Sequence, residues 1–310
     1  MSNHQLNRMQ DTLSPAEKRM YEWAFSASKM GVWRYDLANH AWLVSDQAMQ
    51  VFGFTEAALI ERESLMARLS NVDRLRVDTA WNMLLHDAQP FNIEYEITDS
   101  QGPRWVWEKA EIECDEVGEP CHLIGVVQDI SERRIQDKEL FRRANYDVLT
   151  GLPNRQVLDE YLDKSFALCH RRNERMALMA IDLDRFKEVN DTYGHAAGDL
   201  VLQMASRRME ACLRASDMVA RQGGDEFIAV LQGVDHDAMA GVVALRLIEE
   251  ISRPYEIQGK QISIGASVGI ALLPEDGLDR DEVMSRADSA LYVAKRRGRE
   301  TLHFFQKELN

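Results

Sequence analysis

Along the first 130 residues, apolar and polar positions alternate in short runs broken by turn residues. Gly31-Val-Trp-Arg-Tyr-Asp-Leu37, a turn at Asn39-His40 and Ala41-Trp-Leu-Val44 predict a β-hairpin. Phe91-Asn-Ile-Glu-Tyr-Glu-Ile97 alternates apolar with acidic or polar side chains, the period of a half-buried antiparallel strand. After a turn over Asp99 to Pro103, the runs Arg104–Cys114 and Cys121–Gln128 predict two further strands, joined by a turn around Gly118 and Pro120. Ser131–Tyr146 is charged and free of Gly and Pro, which predicts a helix. Its apolar stripe is Leu140, Phe141, Ala144 and Val148, but a strict heptad would place Arg133 and Asp137 in core slots. A plain connecting helix and one half of a dimeric signalling coil both fit that pattern.

From Asp147 onward the period changes to alternating helices and strands. Met176–Ile181 is a continuous apolar run that ends in Asp182, as expected of a buried strand. Val219–Leu231 predicts a hairpin with Gly223-Gly224 in its turn. Gln261–Leu272 sets Ile262, Ile264, Ala266, Val268 and Ile270 against Ser and Gly, which predicts one strand with a single crowded face. Asp281–Arg297 carries Val283, Met284, Ala287, Ala290, Leu291 and Ala294 on one helical stripe, and Gly298 stops it. The fold class expected is α+β for the first half and α/β for the second, as two domains.

Composition narrows the function. The chain has 310 residues and a formal charge of −14, so it lacks the broad basic surface a generic nucleic-acid binder needs. A single nucleotide remains possible, since its phosphates need only a few cations. Cys114, Cys121, Cys169 and Cys212 have neither metal-site nor redox-pair spacing and are expected as reduced thiols. Met1–Asp11 lacks the apolar core of a signal peptide, and Ile262–Pro274, the longest uncharged apolar stretch, is too short to span a bilayer. A soluble cytoplasmic protein without membrane insertion is expected.

The candidate chemistry sits at strand ends. Asp182 follows a buried strand, and Asp225 and Glu226 sit in or just after the Gly-Gly turn. Carboxylates so placed can hold Mg²⁺ while phosphate oxygens complete its shell, the arrangement of two-metal phosphoryl transfer. Singly, each has an ordinary alternative as a cap or turn residue. No Gly-x-x-x-x-Gly-Lys-Ser/Thr loop occurs, so any phosphate site is of another kind.

Longer segments are more specific. Asp147-Val-Leu-Thr-Gly-Leu-Pro-Asn-Arg155, Asp182-Leu-Asp-Arg-Phe-Lys-Glu-Val-Asn-Asp191, Gly194-His-Ala-Ala-Gly-Asp199, Arg221-Gln-Gly-Gly-Asp-Glu-Phe227, Ser267-Val-Gly269 and Ala287-Asp-Ser-Ala-Leu-Tyr-Val-Ala-Lys295 resemble, in order and spacing, the GGDEF domain of diguanylate cyclases. That family condenses two GTP into cyclic di-GMP and two pyrophosphates as a homodimer. The resemblance implies a central mixed sheet surrounded by helices, as in nucleotidyl cyclases. It also implies that Asp182, Asp225 and the Leu183 carbonyl ligate Mg²⁺, two ions per GTP site. Asp225, Glu226 and Lys187 would be catalytic, with Asp225 or Glu226 helping to deprotonate the 3′-hydroxyl. Phe186 and Lys187 would line the phosphate-binding turn, alongside Gly223 and Gly224. Asn190 and Asp199 would read guanine, and Lys295 and Arg299 would hold the β- and γ-phosphates. By position alone Lys295 and Arg299 also suit a helix C-terminus. Asp184 is expected to be structural. Members that make a mixed adenine–guanine product carry Ser where Asp199 stands, so a GTP-only product is expected.

Arg214-Ala-Ser-Asp217 has the Arg-x-x-Asp form, at the family's offset for an inhibitory site that binds the product. The bland alternative is a local ion pair at i, i+3. The first half resembles a PAS sensor domain in Gly31-Val-Trp-Arg-Tyr-Asp36, Gly102-Pro-Arg-Trp-Val-Trp107 and Gly125-Val-Val-Gln-Asp-Ile-Ser-Glu-Arg133. The expected boundaries are a tail at 1–14, the PAS domain at 15–130, a linker helix at 131–146 and the GGDEF domain at 147–310. His86 is more simply a helix-end residue than a haem ligand, and Trp33, Trp42, Trp81, Trp105 and Trp107 are more simply core. The rival to an enzyme is a non-catalytic cyclic di-GMP receptor, and a hydrolase would need a further domain for which the chain has no room.

Overall fold

The computed structural model describes residues 14–55, 61–87, 89–100, 102–172 and 174–306. Of the expected tail at 1–14, all but Ser14 lies outside the described residues. The chain divides into two compact units between Lys138 and Glu139.

The first unit runs α1 (Pro15–Ser28), β1 (Met30–Asp36), β2 (Ala41–Val44), α2 (Asp46–Phe52), α3 (Arg62–Met66), α4 (Asn71–Asp87), β3 (Phe91–Asp99), β4 (Gly102–Cys114) and β5 (Pro120–Asp129). The strands form one antiparallel sheet in the order β2-β1-β5-β4-β3. Its inner face carries Trp33, Phe91, Tyr95, Ile97, Val106, Ala110, Leu123 and Val127. Against it pack Val51 and Phe52 of α2, Leu65 and Met66 of α3, and Val77, Trp81 and Leu84 of α4. Trp33 stacks on Trp81 with ring centroids 6.0 Å apart, and Trp42 tilts against both. Trp105 and Trp107 depart from the expected core role. Their parity on β4 is opposite to that of Val106, and both are only half-buried. His86 is exposed in the last turn of α4, as a helix-end residue.

The same parity sends one charged side chain inward. Glu108, between Val106 and Ala110, is 2% exposed and accepts a hydrogen bond of 2.6 Å from the Tyr95 hydroxyl. Burial pushes the Glu108 carboxyl up to about 7.

Helix α5 (Ser131–Asn145) follows and buries none of its residues, so Leu140 and Phe141 are exposed. The second unit continues with α6 (Arg155–Arg172), β6 (Met176–Asp184), α7 (Phe186–Tyr193), α8 (His195–Ala211), β7 (Met218–Gly223), β8 (Glu226–Gln232) and α9 (Asp237–Ser252). It closes with β9 (Tyr255–Ile257), β10 (Lys260–Ile262), β11 (Gly265–Leu273), α10 (Arg280–Arg296) and β12 (Leu302–Phe304). The main sheet has the order β12-β11-β6-β8-β7 and is mixed, parallel only at β11–β12.

Period two divides β6 between two cores. Ala177, Met179, Ile181 and Leu183 face α8 and α9, while Met176, Leu178 and Ala180 face α6 and α10. The single strand expected over Gln261–Leu272 is two. β10 pairs with β9 in a small separate sheet, and β11 enters the main one. β11 is also buried on both faces rather than one, because α10 covers the Ser267 and Gly269 side. A side-chain carbon at Gly269 would overlap the backbone of Ala287 and Leu291, so glycine sets how closely α10 sits on the sheet.

A carboxyl raised by burial destabilises the fold where the unfolded chain is ionised and the folded one is not. Stability should therefore fall as pH rises from about 4.5 through about 7 and then level off. All tryptophans lie in the first unit, so their fluorescence follows its unfolding. In urea titrations across that pH range, Glu108→Gln should flatten the decline; an unchanged decline would contradict this assignment.

Candidate active site

The polar residues of the second unit converge at one end of the sheet because the apolar runs stop there in register. Asp182 pairs across the sheet with Glu226 of β8 on one side and with Ser267 of β11 on the other. The Leu183 amide donates to the Asp225 carbonyl at 3.2 Å, closing the hairpin turn onto β6. Gly223 and Gly224 both have positive φ, at 155° and 54°. The turn is gripped from outside by Arg221, which donates to the Gly224 carbonyl through Nε (3.0 Å) and Nη2 (2.7 Å). Arg221 also pairs with Asp147 at 2.9 Å. Burial works against the Asp147 carboxylate, but hydrogen bonds from Thr150 and Arg221 hold it below the usual range.

Asp182 is 8% exposed, and Lys295 Nζ, from the last turn of α10, lies 2.6 Å from its Oδ2. Burial raises the Asp182 carboxyl, and the charges of Asp225 and Asp184 push the same way while Lys295 opposes them. Several carboxylates and one ammonium thus share a confined space. The donors are all hard oxygens, Asp182 already takes a cation as partner, and the mutual repulsion of the acids is relieved by further positive charge. Among the described residues no group of three or more His, Cys, Asp or Glu is arranged to hold a metal. The set therefore fits a hard cation whose shell is completed by phosphate oxygens or water, and does not fit a closed structural metal site.

The other expected residues fall on α7 and α8. Phe186, first residue of α7, is buried in the core, whereas Lys187 beside it is exposed. Asn190 is half-buried, and its side-chain oxygen lies so close to Gly198 that any side chain there would overlap it. Asp199 follows Gly198 and is exposed in the first turns of α8. Gly198 thus brings Asn190 and Asp199 to the same corner. Arg299 is exposed two residues beyond the end-cap of α10, with Nε 3.9 Å from Asp184.

Arg214 and Asp217 lie apart from this cluster, at the turn before β7. The Asp217 carboxylate accepts from the amides of Arg214 and Gln232, each at 3.2 Å. Among the described residues no ion pair joins the two side chains. They line a recess of about 420 Å³ together with His236 and Arg246. Arg246 was not singled out in the sequence; lying on α9, it has no motif spacing to reveal it, and only the fold brings it to Arg214.

Comparison with known proteins matches both units. Residues 144–301 match the family model "Diguanylate cyclase, GGDEF domain", and residues 41–127 match a PAS fold. MucR of Pseudomonas aeruginosa, a bifunctional diguanylate cyclase/cyclic di-GMP phosphodiesterase, is 44% identical over 174 residues, which are 56% of this chain and 25% of MucR. The diguanylate cyclase TpbB of the same organism is 37% identical over 190 residues, covering 60% of this chain and 44% of TpbB. A structure of the TpbB GGDEF domain superimposes with a TM-score of 0.51 at 38% identity, over 52% of this chain and 94% of that one. The coiled coil and GGDEF domain of DgcB from Caulobacter crescentus, solved with c-di-GMP, gives a TM-score of 0.51 at 28% identity over 56% and 93%. The chain thus spans less than half the length of these two curated relatives.

The second unit has the mixed sheet and strand-end carboxylates of a nucleotidyl-cyclase-like domain, preceded by a PAS fold. The chain belongs to the GGDEF family.

Arg221 joins the hairpin to the Asp147 turn, so Arg221→Ala should lower the stability of the second unit by about 1–3 kcal/mol. Denaturant unfolding followed by far-ultraviolet circular dichroism checks this, and an unchanged midpoint would contradict it.

Proposed function

We propose that the chain is a diguanylate cyclase, joining two GTP into cyclic di-GMP with release of two pyrophosphates. The observation that carries the reading is Asp182, cation-paired and raised by burial, in register with the Gly-Gly-Asp-Glu hairpin. Asn190 and Asp199, brought together at Gly198, would read the guanine. Relatives named as phosphodiesterases share the domain, but the intact hairpin and the donor set here favour synthesis.

Asn190 and Asp199 recognise the guanine edge, since a carboxylate accepts from ring N–H donors that adenine does not present in that arrangement. Lys187, Lys295 and Arg299 neutralise the triphosphate, with Phe186 bracing the turn from beneath. Mg²⁺, two ions per GTP held through Asp182, Asp225 and the Leu183 carbonyl, supplies further charge neutralisation at the phosphates. Asp225 or Glu226 takes the proton of the 3′-hydroxyl. That oxygen then bonds to the α-phosphorus of the opposite GTP, whose bond to the β-phosphate bridge breaks and frees pyrophosphate. One domain holds one GTP, so a homodimer is the catalytic unit, and positioning with electrostatics provides most of the acceleration.

The PAS domain would regulate how often two half-sites meet. The recess at Arg214, Asp217 and Arg246 suits a product phosphate and base, which would make it an inhibitory site. The same recess is what a receptor-only reading rests on. The protein is taken as cytoplasmic; among the described residues no helix is long and apolar enough to cross a membrane.

Mass spectrometry of reactions containing GTP and Mg²⁺ separates the two readings. Asp225→Ala should lose synthesis by at least about a hundredfold and still bind cyclic di-GMP. Equal product binding with no synthesis by the wild type would favour the receptor. Arg214→Ala should keep synthesis and raise the concentration of product needed for half-inhibition by about tenfold or more.

A further inference from the structure

The geometry points to Asp184 as the positioning residue that holds the Gly298–Glu300 turn, and with it Arg299, against the triphosphate end of the site. The inference rests on the cyclase reading, which assigns phosphate binding to Arg299 and no role in the reaction to Asp184.

Asp184 ends β6 on the same face as Asp182 and is 4% exposed. A buried carboxylate needs its lone pairs filled. Ser267 Oγ, itself fully buried, lies 2.8 Å from Oδ1 and 3.1 Å from Oδ2. The Glu300 amide donates to Oδ2 at 3.0 Å, and Arg299 Nε stands 3.9 Å from Oδ1. The carboxylate is thus spent on a side chain of β11, one backbone amide and one guanidinium. Asp182, two residues earlier, faces Lys295 instead.

The turn it holds is one that a chain does not adopt freely. Arg299 and Glu300 both have left-handed backbones, with φ of 66° and 48°. Consecutive non-glycine residues there are strained and persist only where the surroundings enforce them. Between the end of α10 and β12, Asp184 supplies that enforcement by binding the Glu300 amide directly. Just past the turn, the Thr301 carbonyl accepts from the Val268 amide at 2.9 Å, which pins the chain again on β11. Arg299 is therefore presented from a fixed backbone while its side chain stays exposed.

Asp184→Asn keeps the volume but replaces an acceptor with a donor facing donors, and removes the charge beside Arg299. Its effect should be confined to ligands that carry the phosphates Arg299 touches. In equilibrium titrations of the full chain with Mg²⁺, the dissociation constant for guanosine 5′-[α,β-methylene]triphosphate should rise about tenfold. That for GMP should stay within about twofold. Arg299→Ala should give the same split, and the double variant should add little to either single one. Equal weakening of both ligands, or additive losses, would show a general structural role and overturn the inference. If Asp184→Asn does not fold, Ser267→Ala carries the test, with the same split at about threefold, and no split there overturns it equally. A wild-type chain that does not bind the triphosphate analogue would overturn the cyclase reading together with this one. Normal wild-type binding with an unaffected Asp184→Asn variant would overturn the positioning role alone.

Discussion

The second unit depends on the register of β6 between β8 and β11. Because β6 is buried on both faces and pairs on both edges, its position cannot slip by one residue without moving every apolar side chain into the opposite layer. That constraint fixes where the strand ceases to be apolar. Asp182 and Asp184 then project on the α10 side, beside Glu226 and Ser267 from the neighbouring strands. The charge that makes the carboxylates tolerable comes from α10, and α10 can reach them because Gly269 lets it lie close on β11.

The two aspartates of β6 share a face and divide the work. Asp182 faces the Lys295 ammonium, and its raised carboxyl reflects the cost of burial beside other acids. Asp184 is closed off, with its oxygens taken by Ser267 and the Glu300 amide. The first unit contains a comparable exception in Glu108, a buried acid that accepts from the Tyr95 hydroxyl. Both units therefore bury carboxyls on a sheet face that is mostly apolar. In the second unit the Asp184 carboxylate is satisfied by several donors, whereas in the first burial pushes the Glu108 carboxyl up to about 7.

Much of this was legible in the chain. The alternation in Phe91–Ile97 and the apolar run ending at Asp182 located β3 and β6 directly, and the motifs singled out Asp182, Glu226 and Lys295, which the fold brings together. What was hidden is what depends on distant sequence. Ser267 lies 83 residues from Asp184, and the Glu300 amide lies 116 residues from it, so no local pattern marks that anchor. The break between β10 and β11 was missed because an unbroken apolar–small alternation reads as one strand. Serine and glycine there signal a closely packed helix rather than solvent. Glu108 could have been found, since it shares parity with Val106 and Ala110. Its flanking tryptophans, the more conspicuous apolar residues, drew the reading to the wrong face of β4.

In the proposed cyclase, GTP is held on half-sites that must meet in pairs. Its most direct test is the initial rate of cyclic di-GMP formation, with saturating GTP and Mg²⁺, measured across a wide range of protein concentration. The rate per molecule should rise with protein concentration until dimers are saturated, with one cyclic di-GMP formed for every two pyrophosphates. Absence of cyclic di-GMP at every concentration, or a rate per molecule that stays flat down to concentrations where the protein is shown to be monomeric, would contradict it.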